Sequence, residues 1–262
     1  MDLSIVILSW NSLKHLQNCL RSISTSLSGS ELKHEIIVVE NGSTDNTVEY
    51  LKNISPPIRD VLQVIYLSTN VGTTVSRNLA FNRANGKYIA VLDSDVEVNH
   101  QVFPNLIKKL EENHKIGLIA PRLYYPGGIL QKSTDVFPSL FTKIRRFFFL
   151  KQIEKKEAAI TKNLEGKTVD YAISAFWLFR KSILENVGLL DENIFYAPED
   201  VDFCLRIWKE GFTVYYEPMV HSIHHTQEIS RGVRFNRAFF EHLKGLLYYF
   251  QKHKYIIRRP SF

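Results

Sequence analysis

Cysteine is almost absent from this chain, and that absence excludes several classes at once. Two residues, Cys19 and Cys204, in 262 positions rule out a disulfide-stapled scaffold and a cysteine-built zinc site. Both lie within apolar helix-like patterns, so buried, reduced thiols are expected. Long hydrophobic runs are also missing. No stretch reaches the ~18 apolar residues that a membrane-spanning helix needs, and Met1-Asp2-Leu3 leads into an apolar strand pattern without a basic leader. Neither a span nor a signal peptide is expected, and the expected location is the cytoplasm. The glycine-rich phosphate loops are lacking too. No Gly-x-Gly-x-x-Gly follows the first strand pattern and no Gly-x-x-x-x-Gly-Lys-Ser/Thr occurs, which disfavours a dinucleotide oxidoreductase or a P-loop nucleotidase.

A net positive charge is lacking from most of the chain, despite a formal net charge of +6 overall. Residues 231–262 carry eight Lys/Arg against the single acid Glu241, so the rest of the chain is close to neutral. An RNA-binding reading would rest on that tail alone, and no RNP or KH signature accompanies it.

What is present is apolar mass in a regular order. With 45% apolar and 12% aromatic residues, the chain can bury a large core. Leu3–Leu8 reads as a strand, followed by a helix that Asn11 or Ser12 can cap and whose Leu13, Leu16, Leu20 and Ile23 recur at helical spacing. Glu35–Glu40 is a second strand. The turn Asn41-Gly42-Ser43-Thr44-Asp45 then leads to a helix carrying Val48 and Leu51, started by Ser43 or Thr44. Val61–Leu67 is a third strand, and Thr74–Ala84 a helix with Val75, Leu79 and Ala80 inward. Strands separated by helices, with polar residues at their carboxyl ends, give an α/β fold with a doubly wound, mostly parallel central sheet.

The stretch Lys87-Tyr88-Ile89-Ala90-Val91-Leu92-Asp93-Ser94-Asp95 is the centre of this order. Its continuous apolar run marks a strand covered on both faces. Ligands of open α/β sheets bind at the carboxyl ends of the strands, and there Asp93 and Asp95 form a hard oxygen site for Mg²⁺ or Mn²⁺. The alternative is that the two acids open a turn and cap a helix. The same topology gathers Ser9, Trp10, Asn11, Glu40, Asn41, Asn70 and Arg77 along one rim, each also explicable as a cap or turn residue. Glu40 has the chemistry to accept the N3–H of uracil or thymine, and Arg77 to reach a diphosphate.

Four ordered motifs carry a resemblance. Ser-Ile-Val-Ile-Leu-Ser-Trp-Asn at 4–11, Val-Val-Glu-Asn-Gly-Ser-Thr-Asp at 38–45, Asn-x-Gly-x-x-x-x-Arg-Asn at 70–78 and Leu-Asp-Ser-Asp at 92–95 resemble the nucleotide-sugar half of family 2 glycosyltransferases. Val169-Asp170-Tyr171, Val187–Glu192 and Pro198-Glu199-Asp200-Val201-Asp202 are similar to that family's acceptor-side signature, especially in the rhamnosyltransferase-like branch. The resemblance implies a GT-A fold over residues 1–230, with a Rossmann-like nucleotide-binding half (1–98) and an acceptor half (99–230), followed by a helical tail (231–262). It implies an inverting, metal-dependent transfer from a dTDP- or UDP-sugar to a hydroxyl of a glycan or lipid-linked acceptor in surface polysaccharide assembly. Ser9, Asn11, Glu40, Asn41, Asn70, Arg77, Asp93 and Ser94 are the expected nucleotide contacts, and Asp95, Asp93 and His224 the expected metal ligands. Asp200 is the expected base, with Glu199 beside it. Glu40 stands where that family has aspartate, and Ser174 where glycine is common. A nucleotide-sugar-binding or scaffold protein without turnover is the alternative from another class.

Glu199 and Asp200 precede an amphipathic helix (Val201, Cys204, Leu205, Trp208), whose first N–H groups can orient a carboxylate. An N-cap without catalysis is the competing explanation. Thr213–Glu217 reads as a strand ended by Pro218, with His221, His224 and His225 beyond it. Phe176, Trp177 and Tyr196 are expected either to stack on an acceptor sugar or to pack in the core. Residues 140–150 and the tail set aromatics beside basic residues. Phe235, Phe239, Leu243, Leu246, Leu247 and Phe250 form one helical stripe flanked by Arg234, Arg237, Lys244 and Lys252. Such a helix can lie on an anionic membrane, peripheral to its inner face, or pack on the domain.

Overall fold

A computed structural model describes residues 1–139, 165–226, 237–257, 259, 260 and 262, with only the backbone of 237–239. The stretch 140–150, together with Arg234 and Phe235 of the tail stripe, lies outside the described residues.

The parallel half of the molecule follows the alternation in the sequence. Strand β1 (Leu3–Ser9) is followed by helix α1 (Leu13–Ser26), β2 (His34–Asn41), the short helices α2 (Thr47–Lys52) and α3 (Ile58–Val61), β3 (Leu62–Leu67), α4 (Thr73–Arg83) and β4 (Tyr88–Asp93). These strands pair in parallel in the order β3-β2-β1-β4. Helix α1 buries Leu16, Cys19, Leu20 and Ile23, the spacing of one helical face. Ser12 is at its N-cap position, but its hydroxyl caps nothing and instead lies 3.0 Å from that of Ser9 and 2.8 Å from that of Ser94. The second helix starts at Thr47, later than Ser43 or Thr44.

The second half adds β5 (Val96–Val98), α5 (Val102–Glu112), β6 (Ile116–Tyr124), β7 (Thr134–Asp135), β8 (Lys167–Val169), β9 (Tyr171–Ala172), β10 (Phe176–Arg180), α6 (Ser182–Val187), α7 (Glu199–Lys209), β11 (Thr213–His224) and α8 (Arg237–His253). Strands β10, β6, β11 and β5 extend the same sheet in the order β4-β10-β6-β11-β5, with β8 also on β11, while β7 and β9 pair in a separate two-stranded sheet. Strand β10 is antiparallel to both β4 and β6, whereas β6 and β11 are parallel. One sheet therefore runs through both halves. Its regular parallel order stops at β4, the strand that ends in Asp93.

Period-2 alternation assigns the strand side chains to two cores. Leu3, Ile5 and Ile7 of β1 and Tyr88, Ala90 and Leu92 of β4 face α1 and α5. Val6, Ile89 and Val91 face α4, α7 and α8. Each Leu or Ile fully buried in this way contributes about 1.5–3 kcal/mol. The same alternation corrects part of the acceptor expectation. Phe176 falls in the first core and Trp177 in the second, at 1% and 0% exposure, so neither ring presents a face to a sugar. Phe176 packs against Phe103, while Trp177 stacks on Phe203 and donates its indole N–H to the Ala172 carbonyl at 3.0 Å.

Two further expectations are corrected. Leu79 of α4 is exposed, and the buried face carries Thr74, Ser76, Arg77, Asn78, Ala80 and Phe81. Its polar groups find partners: Thr74 Oγ1 donates to the Ile194 carbonyl at 2.7 Å, and Asn78 exchanges hydrogen bonds with Leu190 at 2.9 and 3.0 Å. Pro218 does not end β11 either. The pairing register with β6 shifts between Glu217 and His221, a bulge in which a residue without an N–H costs no ladder hydrogen bond.

Helix α8 resolves the two readings of the tail by face. Gly245 and Tyr249 are buried, and Leu246 and Phe250 pack against the second core. Phe240, Leu243 and Leu247 point outward at 57%, 44% and 63% exposure. The single stripe drawn from the sequence is thus divided between core and solvent. No described helix is long and apolar enough to cross a membrane.

Candidate active site

The carboxyl end of β4 and the tip of β11 build the first half of the site. Asp93 is the last residue of β4, and its backbone N–H donates to the Ala175 carbonyl just before β10. Strand β11 is hooked alongside by the His225 N–H, which donates to the Asp95 carbonyl at 2.9 Å. That register sets His224 Nε2 at 3.2 Å from Asp95 Oδ1 and 3.9 Å from Asp93 Oδ2. One ligand atom from each of the three residues lies within 4.8 Å of the others. On the far side of the ring, His224 Nδ1 donates to the Gln131 amide oxygen at 3.0 Å, which aims Nε2 at the carboxylates.

Electrostatics fit the same reading. Burial disfavours a charged His224, but the Asp95 hydrogen bond and the Asp95 and Asp93 charges outweigh it and hold the imidazole above its ordinary value. Burial also raises Asp95, yet His224 brings it below the usual carboxylate range, whereas Asp93 is held up by burial against the pull of Arg77. Positive charge is therefore drawn to the point where the three side chains converge. Two carboxylates and an imidazole are a mixed oxygen and nitrogen set that suits a divalent ion such as Mn²⁺. These three residues fit a divalent cation.

The second half of the site comes from α7. Glu199 and Asp200 form its first turn, where the unpaired N–H groups and the helix dipole favour negative charge. What joins the halves is Arg77, 1% exposed on α4. Its Nη2 donates to Asp93 Oδ1 at 2.7 Å and to the Ser174 carbonyl at 3.1 Å, and its Nη1 to Glu199 Oε1 at 3.2 Å. Ser174 Oγ donates to the same Glu199 oxygen at 2.7 Å. Expected at a diphosphate, Arg77 has its guanidinium buried between carboxylates of two motifs 106 positions apart in sequence. Burial first, and the neighbouring Glu199 charge second, push the Asp200 carboxyl up to about 8. A carboxylate raised in this way is a stronger proton acceptor.

The other expected nucleotide contacts lie mostly beneath the rim. Ser9, Glu40, Asn41 and Ser94 are buried. Glu40 Oε1 accepts the Ser43 N–H at 2.7 Å. Asn41 is bonded to Asn70 Oδ1 at 3.1 Å and accepts the Val71 N–H at 3.0 Å, while Asn11 Oδ1 accepts the Thr44 N–H at 2.7 Å. These residues shape the turns at the strand tips. Trp10 and Tyr66 are each 44% exposed and Tyr196 is 39% exposed. Sequence reasoning missed Gln131 as the partner of His224 and Ser174 as the partner of Glu199. No spacing marks either, since both are fixed by long-range packing. An open concavity of about 800 Å³ lies elsewhere, against Phe250, Gln251, Lys254, Tyr255, Ile256 and Ile257; it holds no carboxylate and offers no comparable chemistry.

Several known proteins are similar to this chain. Low-salt glycan biosynthesis hexosyltransferase Agl10 of Haloferax volcanii is 25% identical over 228 residues, covering 85% of this chain and 67% of that protein. Poly-beta-1,6-N-acetyl-D-glucosamine synthase of Staphylococcus epidermidis is also 25% identical, over 219 residues, but the chain spans only 48% of its length. Among solved structures, GalNAc-T7 with UDP, GalNAc and Mn²⁺ superposes with a TM-score of 0.70 at 15% identity, over 97% of this chain and 48% of that one. S. aureus TarS 1–349 in complex with UDP gives 0.59 at 18% identity, over 86% and 61%. These likenesses show the fold, which is GT-A. The family model for glycosyl transferase family 2 matches residues 4–188. That match takes in well over half of the sequence, from β1 to the end of α6, and on it the chain belongs to glycosyl transferase family 2.

Proposed function

We propose that the protein is an inverting, metal-dependent glycosyltransferase that moves a sugar from a UDP- or dTDP-sugar to a hydroxyl of a glycan or lipid-linked acceptor in surface polysaccharide assembly. The observation that carries this reading is Arg77, which holds Asp93 of the donor side and Glu199 of the acceptor side on one guanidinium. Asp93, Asp95 and His224 would hold Mn²⁺ or Mg²⁺, and the ion, when bound, supplies positive charge to the departing diphosphate. Asp200 takes the proton of the acceptor hydroxyl. The acceptor oxygen forms its bond to the anomeric carbon from one face while the bond to the diphosphate oxygen breaks on the other, its electron pair leaving with the nucleotide, so the anomeric configuration inverts. Arg77 and Ser174 restrain Glu199, and with it the turn that bears Asp200. Trp10 and Tyr66 offer rings near the strand tips for a nucleobase, and Tyr196 offers one for the acceptor.

Nucleotide release from UDP-glucose, UDP-N-acetylglucosamine, UDP-galactose and dTDP-rhamnose, with p-nitrophenyl glycosides as acceptors and with or without Mn²⁺, tests the reading. Release from one donor, abolished in Asp200→Asn with nucleotide binding retained, is expected. Preference for dTDP-rhamnose would support the rhamnosyltransferase-like branch. Binding without turnover by the wild type would favour a nucleotide-sugar-binding scaffold.

A membrane-bound acceptor would suit the outer face of the tail. Phe240, Leu243, Leu247, Ile256 and Ile257 are exposed in a segment whose net charge is strongly positive, which complements an anionic bilayer surface. Flotation with vesicles containing phosphatidylglycerol should recover the protein, and Leu243→Ser with Leu247→Ser should abolish recovery; equal recovery of both rejects the surface.

A further inference from the structure

Helix α8 does more than cover the second core, because its inner face bears directly on the turn that carries Glu199 and Asp200. A Cβ at Gly245 would run into the Ala197 carbonyl oxygen and sit 3.2 Å from Pro198 Cδ, so only glycine allows the helix to approach the backbone of that turn this closely. About two helical turns on, Lys252 Nζ donates to Asp191 Oδ2 at 2.6 Å and to Asp202 Oδ1 at 2.7 Å. His253 Nε2 lies 2.8 Å from the same Asp202 oxygen, and Arg206 Nε donates to Asp202 Oδ2 at 2.9 Å. Tyr248 adds its hydroxyl to Asp191 at 3.0 Å. Asp202 is 1% exposed. Burial would raise its carboxyl, but His253, Arg206 and Lys252 prevail and hold it well below the usual carboxylate range.

Asp202 shares the first turn of α7 with Asp200, and the Asp202 N–H donates to the Pro198 carbonyl at 3.1 Å. Gly245 thus sets the turn from its N-terminal side and the Lys252–Asp202–His253 cluster pins it from its C-terminal side. We propose that α8 is a positioning element of the transfer reaction: Gly245, Lys252 and His253 fix the Pro198–Asp202 turn and so the direction from which the Asp200 carboxylate meets the acceptor hydroxyl. This rests on the reading of Asp200 as the base.

The test uses the full chain with Gly245→Ala, Lys252→Met, Lys252→Arg and, as an exposed control on the same helix, Gln251→Ala. Alanine ordinarily favours a helix over glycine, so a loss in Gly245→Ala reports the contact and not the helix. A displacement of about 1 Å at a reacting group costs up to about 100-fold. In nucleotide release from the fastest donor of the panel, Gly245→Ala and Lys252→Met should lose about 10- to 100-fold in kcat with donor KM unchanged. The acid limb of their pH profiles should also move. Lys252→Arg should recover most of the rate, and Gln251→Ala should match wild type. Hydrogen exchange over residues 196–204 should quicken in the two impaired variants. Wild-type kcat in both, an equal loss in kcat and donor affinity, or unchanged exchange over 196–204 would each overturn the proposal. Asp200→Asn separates the two readings. If it retains full activity, the base assignment fails while exchange still reports on the turn; if it is inactive while Gly245→Ala and Lys252→Met are normal, positioning alone fails.

Discussion

Replacing Arg77 with methionine is the sharpest perturbation of the site, because it keeps the side-chain length and removes the one charge that faces both acids. Glu199, whose side chain is 7% exposed, would retain the Ser174 hydroxyl and a backbone N–H but no cation, whereas Asp93, at 36%, can regain water. Removing one partner of a buried ion pair costs about 3–5 kcal/mol. Since one of the two acids is rehydrated, the lower end applies, about 3 kcal/mol. In a chain of this size that lowers Tm by about 6–12 °C, at about 2–4 °C per kcal/mol. The loss should depend on pH. Burial already raises Glu199 against the pull of Arg77, and without Arg77 it rises further, so the folded variant binds a proton that the unfolded chain releases. Stability of the variant then falls as pH climbs from the unfolded glutamate value of about 4.3 through the raised folded value, by up to about 1.4 kcal/mol per pH unit. Melting curves at pH 5 and pH 8 measure this directly, and Arg77→Met combined with Glu199→Gln should recover at least about 1 kcal/mol of the loss. Equal destabilisation at both pH values, together with additive single and double variants, would refute the bridge.

Two further outcomes follow from the same geometry. Asp200 is pushed up to about 8, so on its proposed role as base, which requires the deprotonated form, kcat/KM should fall as pH drops through about 8, and Asp200→Glu should shift that limb. Gln131→Leu should weaken Mn²⁺ binding, read by isothermal titration calorimetry, by about 10- to 100-fold while leaving all three proposed ligands in place, since it frees the ring of His224 to turn; unchanged affinity would show that Gln131 does not orient it.

The parallel half of the fold was legible because each of its strands follows local rules: short apolar runs, polar tips and helices between them. Asp93 and Asp95 were legible as two carboxylates at a strand end and His224 entered through the family resemblance; the structure brings one ligand atom of each within 4.8 Å of the others. Legibility stopped where tertiary partners set the outcome. The inner face of α4 is polar because Thr74, Arg77 and Asn78 find partners between residues 174 and 199, and no helical periodicity shows that. Phe176 and Trp177 look like sugar platforms until β10 is inserted between β4 and β6, which buries both faces. Asn11, Asn41 and Ser94 have the residue types of ligands and the positions of turn braces. The polar chemistry that holds a loop is the chemistry that holds a nucleotide.

Strand β10 has a mechanical consequence. It is laddered to β4 on one side and to β6 on the other, so the strand that ends in Asp93 and the strands beyond it form one continuous slab with no crease between them. A slab so joined resists hinging between its two halves, which leaves relative movement to the helices and tip turns that flank it.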